Sequence, residues 1–444
     1  MGRARDLVGL LDFLAEVATR YGTVASWSLL GRRFVLIGEP ALIDELLVAK
    51  SRDFIKGRGV QRLRALLGEG LLTAEQPVHL PHRRMLQPAF HRERIAGYGR
   101  RMVTLTGAML DGWRDGETIR IDAAMTSLTL AIACDTLFSA NVGERAGSVH
   151  DNLTELMEAF PALLSAVGGM MEKLPFVPST RRFRRARARL DDVVYALIEE
   201  RRRSDPATWP DDFLSMLLAS RDDAHGGLDD RQVRDEAMTI FLAGHETTAN
   251  ALAWSCDLLA RNPDVARALA ADCEAVLGER EPSPDDLPQL RLARDVLAES
   301  MRLYPPAWIT GRIAVRDTRL GNWPIAKGTI VLACQWLSHR DARLFADPLA
   351  FRPERWSTTA AKLPAGAYFP FGGGNRRCIG EPFAWMEGTL VLAHLAQRFS
   401  LELVEAESVP IQPLVTLRPG RPIRLRVRGR SRVPAARTAP AASI

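Results

Sequence analysis

The stretch "FGGGNRRCIG", residues 371–380, sets four glycines and two arginines around one cysteine. Glycine lets backbone bend sharply and approach a neighbour closely, and arginine holds anions. A thiol beside arginines, just ahead of a helix, is expected to ionise readily. Three readings compete for Cys378. One is filler in a tight turn. The second is a phosphate cradle, which lacks the Gly-Lys-Ser/Thr ending and the preceding strand. The third is a reactive or metal-bound thiolate. A hydrolase nucleophile would want a histidine and an orienting partner, and none of the eight histidines sits in such a pattern. As a metal ligand Cys378 would be the only soft one. That points to a cofactor bringing its own remaining ligands, as heme does with its pyrrole nitrogens. Heme also accounts for the neighbours. Its propionates want arginines, its flat face wants backbone without side chains, and its iron favours a thiolate at a helix N-terminus.

The other cysteines read differently. Cys134, Cys256, Cys273 and Cys334 lie in apolar periodic segments and are expected to be small buried hydrophobes. An odd count of five, with no two close together, excludes a disulfide framework, a zinc site and an iron–sulfur cluster. It fits a reducing, cytoplasmic setting. The 444 residues are 47% hydrophobic and 25% charged, with a net charge of +6, which is ordinary globular chemistry. Arginine runs such as "RRFRRARAR" (181–189) read as a solvated face or, more sharply, as a site for an acidic partner. No nucleic-acid recognition motif accompanies them. No window reaches the roughly 18 uninterrupted apolar residues of a membrane span.

Residues 23–40 read as two strands around a Gly31-Arg32 turn, and 40–50 as a helix opened by Pro40. Residues 56–78 look irregular. Helical periodicity dominates from 82 to 305, with breaks at 111–117, 174–180, 204–212 and 224–230. Short β segments follow Pro305-Pro306, then a helix over 382–400 and a hairpin over 414–428. No internal repeat or linker divides the chain. Residues 1–427 are expected to form one mainly α domain with a minor β region. Residues 428–444 are expected to form a disordered tail.

The longest helix spans 229–263, with Asp229 or Asp230 as its cap and Asn262-Pro263 as its stop. Its middle reads "AGHETT" (243–248). Glycine there costs about 1 kcal/mol against alanine, and a buried glutamate needs partners. Threonine can bond the carbonyl one turn back and bend the helix. This is either an exposed polar notch or a widened turn that holds water or a small ligand against an acid–alcohol pair.

These residues together resemble the cytochrome P-450 heme-thiolate monooxygenases. The pattern Phe-x-x-Gly-x-Arg-x-Cys-x-Gly is present as Phe371, Gly374, Arg376, Cys378 and Gly380. The long helix carries the Ala/Gly-Gly-x-acid-Thr pattern as Ala243, Gly244, Glu246 and Thr247. Glu299 and Arg302 match the Glu-x-x-Arg pair, and Arg355 in "FRPERW" matches the third member of a buried network. His79 and Arg83 match the early propionate site, where many relatives carry tryptophan at the first position, and Arg312 a further propionate ligand.

The resemblance implies a prism-like, mainly α fold with the long helix crossing the heme. The cofactor would be heme b (iron protoporphyrin IX), with the Cys378 thiolate as axial ligand and Gly372 also against it. Glu246 and Thr247 would relay protons during dioxygen activation, and Gly244 would leave space for oxygen. Relatives that use peroxide directly replace that acid–threonine pair with arginine and proline, so use of dioxygen is favoured here. A peroxide-using or isomerase relative, a heme sensor and a cysteine hydrolase are the alternatives. No flavin domain follows Cys378, which makes ferredoxin and ferredoxin reductase the implied electron donors. Arg83, Arg84, Arg92, Arg94 and Arg377 would form their basic docking face. Leu242, Ala243, Trp308, Ile309, Thr310, Val415, Thr416 and the segments 56–78 and 160–180 match pocket-lining positions. They imply a hydrophobic small-molecule substrate, such as a terpenoid or fatty acid, in a cytoplasmic, monomeric enzyme without a transmembrane anchor.

Overall fold

A computed structural model describes residues 5–139, 178–222, 226–358 and 363–430. The segment 160–177 and the tail from 431 onward lie outside the described residues. Amphipathic helix α1 (Arg5–Tyr21) leads into strands β1 (Val24–Leu29) and β2 (Arg32–Ile37). After β3 (Phe54–Lys56) come α2 (His79–Leu86), α3 (Arg92–Asp111), β4 (Thr118–Arg120) and α4 (Ile121–Phe138). The helical body continues with α5 (Pro178–Arg203), α6 (Asp230–Arg261), α7 (Pro263–Leu277) and α8 (Arg291–Leu303). Strands β5 (Thr310–Ala314) and β6 (Ile330–Ala333) precede α9 (Glu381–Arg398). Strands β7 (Phe399–Leu403), β8 (Ile411–Pro413), β9 (Leu417–Pro419) and β10 (Arg424–Gly429) end the fold.

The main sheet has the order β1-β2-β6-β5-β3. Only β2 and β6 pair in parallel. Register in the β3–β5 pair sets Lys56 opposite Arg312, two cations side by side. The expected hairpin over 414–428 does not form. Instead β9 pairs with β8, while β10 pairs with β7 and β4. Pro419 and Gly420 break the run between the two strands, so their alternating patterns belong to different sheets. Because β10 runs to Gly429, the ordered domain also extends two residues past the expected limit. The region 56–78 contains short helices over Arg58–Arg62 and Arg64–Leu67 rather than being wholly irregular.

Helix α6 is the axis of the molecule. Asp229 and Gln232 close a capping box at its start. Its 32 residues give a rod of about 48 Å. Every residue from Val233 to Leu242 and from Thr248 to Leu259 is buried. The first half sits in one apolar core with Leu66, Leu67, Leu137 and Phe213. The second half sits in another, with residues of α3, α4, α8 and α9. The "AGHETT" segment lies at the seam between the two. Helix α4 is long and apolar enough, by length and composition, to cross a membrane. It packs along α6 as a core helix.

Candidate active site

At the seam, Ala243 is exposed and Gly244 and Thr247 are half-buried, in a helix otherwise enclosed on both sides. A Cβ built on Gly244 meets nothing within 4 Å. Three successive carbonyls here each accept a threonine hydroxyl. Thr247 bonds Ala243 O at 2.8 Å, Thr248 bonds Gly244 O at 3.2 Å, and Thr129 of α4 bonds His245 O at 3.0 Å. The back-bonding expected of the threonines is present, and Thr129 is a partner that no local pattern announces. Glu246 is buried, and its Oε1 takes every recorded donor. These are Thr416 Oγ1, Arg418 Nε at 2.8 Å and Arg418 Nη2 at 2.6 Å.

The cysteine loop is built by close approach. Cys378 N donates to Phe371 O at 2.9 Å, closing the turn around a short 3₁₀ segment at Gly374–Arg376. Gly374, at φ +64°, lies so near residue 47 that a Cβ would come 2.2 Å from Leu47 O. Gly372, at φ +72°, has nothing within 4 Å. Cys378 is the one exposed cysteine among five, and the other four are buried. Burial pushes those four thiols up to about 12. Although exposed, the Cys378 sulfur is hemmed in by surrounding protein, and this pushes its thiol up to about 11. Glu381 adds to the rise, against lowering by the Gly380 and Glu381 amides and Arg83.

A cationic cluster lies beside this loop. Lys56 is buried and donates its Nζ to Leu71 O and Ala74 O at 2.8 and 2.7 Å. Burial, reinforced by Arg376, lowers its pKa to about 7. Burial likewise lowers Arg312 to about 10 and His79 to about 3. Glu75 pairs with Arg376 and accepts from the backbone amide of Lys56 at 2.6 Å. His79 Nδ1 and Arg376 Nη1 are buried without a hydrogen-bond partner. Arg83 spends one nitrogen on Arg377 O at 2.7 Å.

This donor set fits heme. The cluster sets one paired anion, Glu75, against several cations and leaves Arg376 Nη1 buried without a partner, as a site for two carboxylates should. Gly244 and Gly372 leave open space, and an accessible cysteine stands alone. Among the described residues no group of three or more histidines, cysteines and carboxylates is placed to hold a bare metal ion. Lys56 and Glu75 were not visible in the sequence, because their roles come from the β3–β5 register and a turn some 20 residues later.

Glu299 and Arg302 are fully buried and Arg355 nearly so. Glu299 accepts from Arg302 at 2.8 and 2.9 Å, from Arg355 at 2.9 Å, from the Trp356 indole at 3.0 Å and from Arg352 N at 3.0 Å. The other expected positions scatter. Leu242 and Val415 share one apolar cluster with Ile379, the neighbour of Cys378. Trp308 is buried in a different cluster, with its indole donating to Leu414 O at 3.0 Å. Ile309 packs on that second cluster. Thr310 accepts from Gln335 at 2.9 Å. Thr416 is buried between Glu246 and Asn250.

A sequence profile of the family "Cytochrome P450" matches residues 8–426. A cyclooctat-9-en-7-ol 5-monooxygenase from Streptomyces melanosporofaciens is 37% identical, over 89% of this chain and 85% of that protein. Cyclooctatin synthase from the same organism is 35% identical, over 94% of this chain and 90% of its own length. A pentalenene oxygenase from Streptomyces avermitilis is 33% identical, over 88% and 87%. The chain belongs to the cytochrome P450 family. It is a P450 monooxygenase with terpenoid-modifying relatives, and membership implies heme, a cysteine thiolate ligand, redox partners and dioxygen.

Proposed function

We propose that this enzyme hydroxylates or epoxidises a hydrophobic terpenoid in the cytoplasm, as a monomer, with electrons passed from NAD(P)H through ferredoxin reductase and ferredoxin. The observation that carries this reading is the accessible Ala243-Gly244 and Thr247 at the seam of a buried helix, joined to an acid, Glu246. Relatives named for cyclic terpenoid substrates support the substrate class.

Heme, when bound to Cys378, supplies the activation of dioxygen and the oxidising power. His79, Arg83, Arg312 and Arg376 would hold its carboxylates. Phe371, Gly372 and Gly380 shape the ligand turn. Thr247 presents a hydroxyl at the opening and can pass on a proton taken from Glu246. Because Glu246 Oε1 is held by Thr416 and Arg418, Oε2 is the oxygen left to do so. Leu242 and Val415 supply apolar wall and exclude water. For docking an acidic ferredoxin, the candidates are Arg84 and Arg377, both exposed, the second next to Cys378 in the chain. Arg377 and Arg94 are already paired with Glu381 and Asp211, and the Arg92 side chain lies outside the described residues.

The test is coupled turnover of the heme-loaded enzyme with a ferredoxin, its reductase and a panel of cyclic terpenoids. The reduced, carbon-monoxide-bound spectrum serves as the check on thiolate ligation. Thr247→Ala should keep that spectrum and lower product per NAD(P)H consumed by about tenfold. Unchanged coupling would remove Thr247 from the relay, and oxidation of none of the terpenoids would remove the substrate class.

A further inference from the structure

The turn between β1 and β2 puts a large apolar side chain where the backbone least favours one. Register pairs Leu29 with Arg32, which leaves Leu30-Gly31 as a two-residue hairpin loop. Both loop residues have positive φ, +51° at Leu30 and +72° at Gly31. Asparagine, aspartate or glycine is the ordinary occupant of the first position, because a side chain as bulky as leucine rarely enters the left-handed region. Leu30 does so with 82% of its surface in water, and Leu29 beside it is 57% exposed. Neither turn geometry nor core packing accounts for two leucines here.

The sheet face that carries Leu29 grows wetter toward the turn. Ala25 and Leu36, which are register partners, are buried with Leu11 and Leu14 of α1. Trp27 and Phe34 come next, half-buried and stacked at 5.5 Å, with Phe13 edge-on to the indole at 5.4 Å. Leu29 and Arg32 end the series, both exposed, and Arg33 is exposed beside them. Among the described residues neither Arg32 nor Arg33 has an ion-pair partner. An apolar tip, an aromatic collar and two cations stand in the order that a membrane interface calls for. Leucines enter the acyl boundary, rings sit at the head-group level, and guanidinium groups reach phosphates.

We propose that the β1–β2 turn docks this protein onto an anionic lipid surface, with Leu29 and Leu30 inserted among the acyl chains and Arg32 and Arg33 on head-group phosphates. The contact is peripheral, made by one turn. A second copy of the chain would bring the same arginines face to face, so charge favours lipid over self-association. The inference goes beyond the terpenoid reading and does not depend on it, although a lipid surface is where hydrophobic substrates gather.

The experiment sediments the full-length, heme-loaded protein with vesicles of equal parts phosphatidylglycerol and phosphatidylcholine, and with phosphatidylcholine alone. Leu30→Asn removes the tip, and Arg32→Gln/Arg33→Gln removes the charge. Asparagine suits the left-handed turn better than leucine, so the melting temperature of Leu30→Asn should hold or rise. The parent should pellet with the anionic vesicles and far less with phosphatidylcholine. Each variant should bind the anionic vesicles about tenfold more weakly, with an unchanged reduced carbon-monoxide spectrum. A parent that stays in the supernatant, or variants that bind as the parent does, overturn the proposal. So does binding that Leu30→Asn leaves intact while added salt abolishes it, which means adsorption by charge alone. A parent dimer that Leu30→Asn splits, without vesicle binding, assigns the tip to a second copy instead. Sedimentation is read without turnover, so its result stands whether or not any terpenoid is oxidised.

Discussion

Lys56 shows how one side chain carries the chemistry of its surroundings. Its folded pKa of about 7 lies below the ordinary 10.5 of a lysine. Between those values the unfolded chain binds more protons than the folded one, so stability rises with pH across that window. The destabilisation is complete below pH 7 and gone above 10.5. In heme-free protein, Lys56→Met loses the bonds to Leu71 O and Ala74 O at every pH but relieves the buried charge at pH 7, so its stability relative to the parent should be highest there, shifting by about 1.4 kcal/mol per pH unit. That relative stability should fall toward pH 10, as read by denaturant unfolding. A difference that stayed constant with pH would mean Lys56 is charged and comfortable in the fold. Nothing in "FIKGRG" predicts this, since the lysine sits in a short strand whose partner, Arg312, is 256 positions away.

Among the elements, the cysteine turn separates two uses of glycine that look identical in sequence. Gly374 makes room for the chain around Leu47, whereas Gly372 faces open space. Gly374→Ala should cost more than about 2 kcal/mol with or without heme, through both positive φ and the collision with Leu47 O. Gly372→Ala should cost the φ strain alone, about 1 kcal/mol, as read by thermal unfolding of both forms. Equal penalties would mean the turn relaxes away from residue 47. The turn itself, the long helix with its caps and the Glu-x-x-Arg pair were legible, because each is a local pattern with a physical meaning. What stayed hidden was long-range pairing. Arg418 reaches Glu246 from 172 positions away, and the 414–428 alternation divides between two sheets at Pro419-Gly420. Trp308, a pocket wall by position, belongs to the apolar cluster with Leu11, Leu14 and Leu417, which no local pattern announces.

For the molecule as a whole, Glu299 is the point where distant segments are tied. It joins α8 to residues 352–356. Arg302 carries the link to His339 O at 2.7 Å, and His339 Nε2 accepts from Phe369 N at 3.1 Å, two residues before Phe371. Glu299→Gln leaves two buried guanidinium groups without their counter-charge, a change worth about 3–5 kcal/mol. The variant should unfold at lower temperature and retain less heme on purification. Normal heme content with lowered stability would confine the network to a purely mechanical role. The same wiring has a consequence for biosynthesis. Glu75 meets Arg376 across 301 positions, and Arg83 meets Arg377 across 294. A chain still emerging from the ribosome can hold the first half of this site for a long time without the second. Cofactor capture through Cys378 must therefore wait until the cysteine turn has left the exit tunnel.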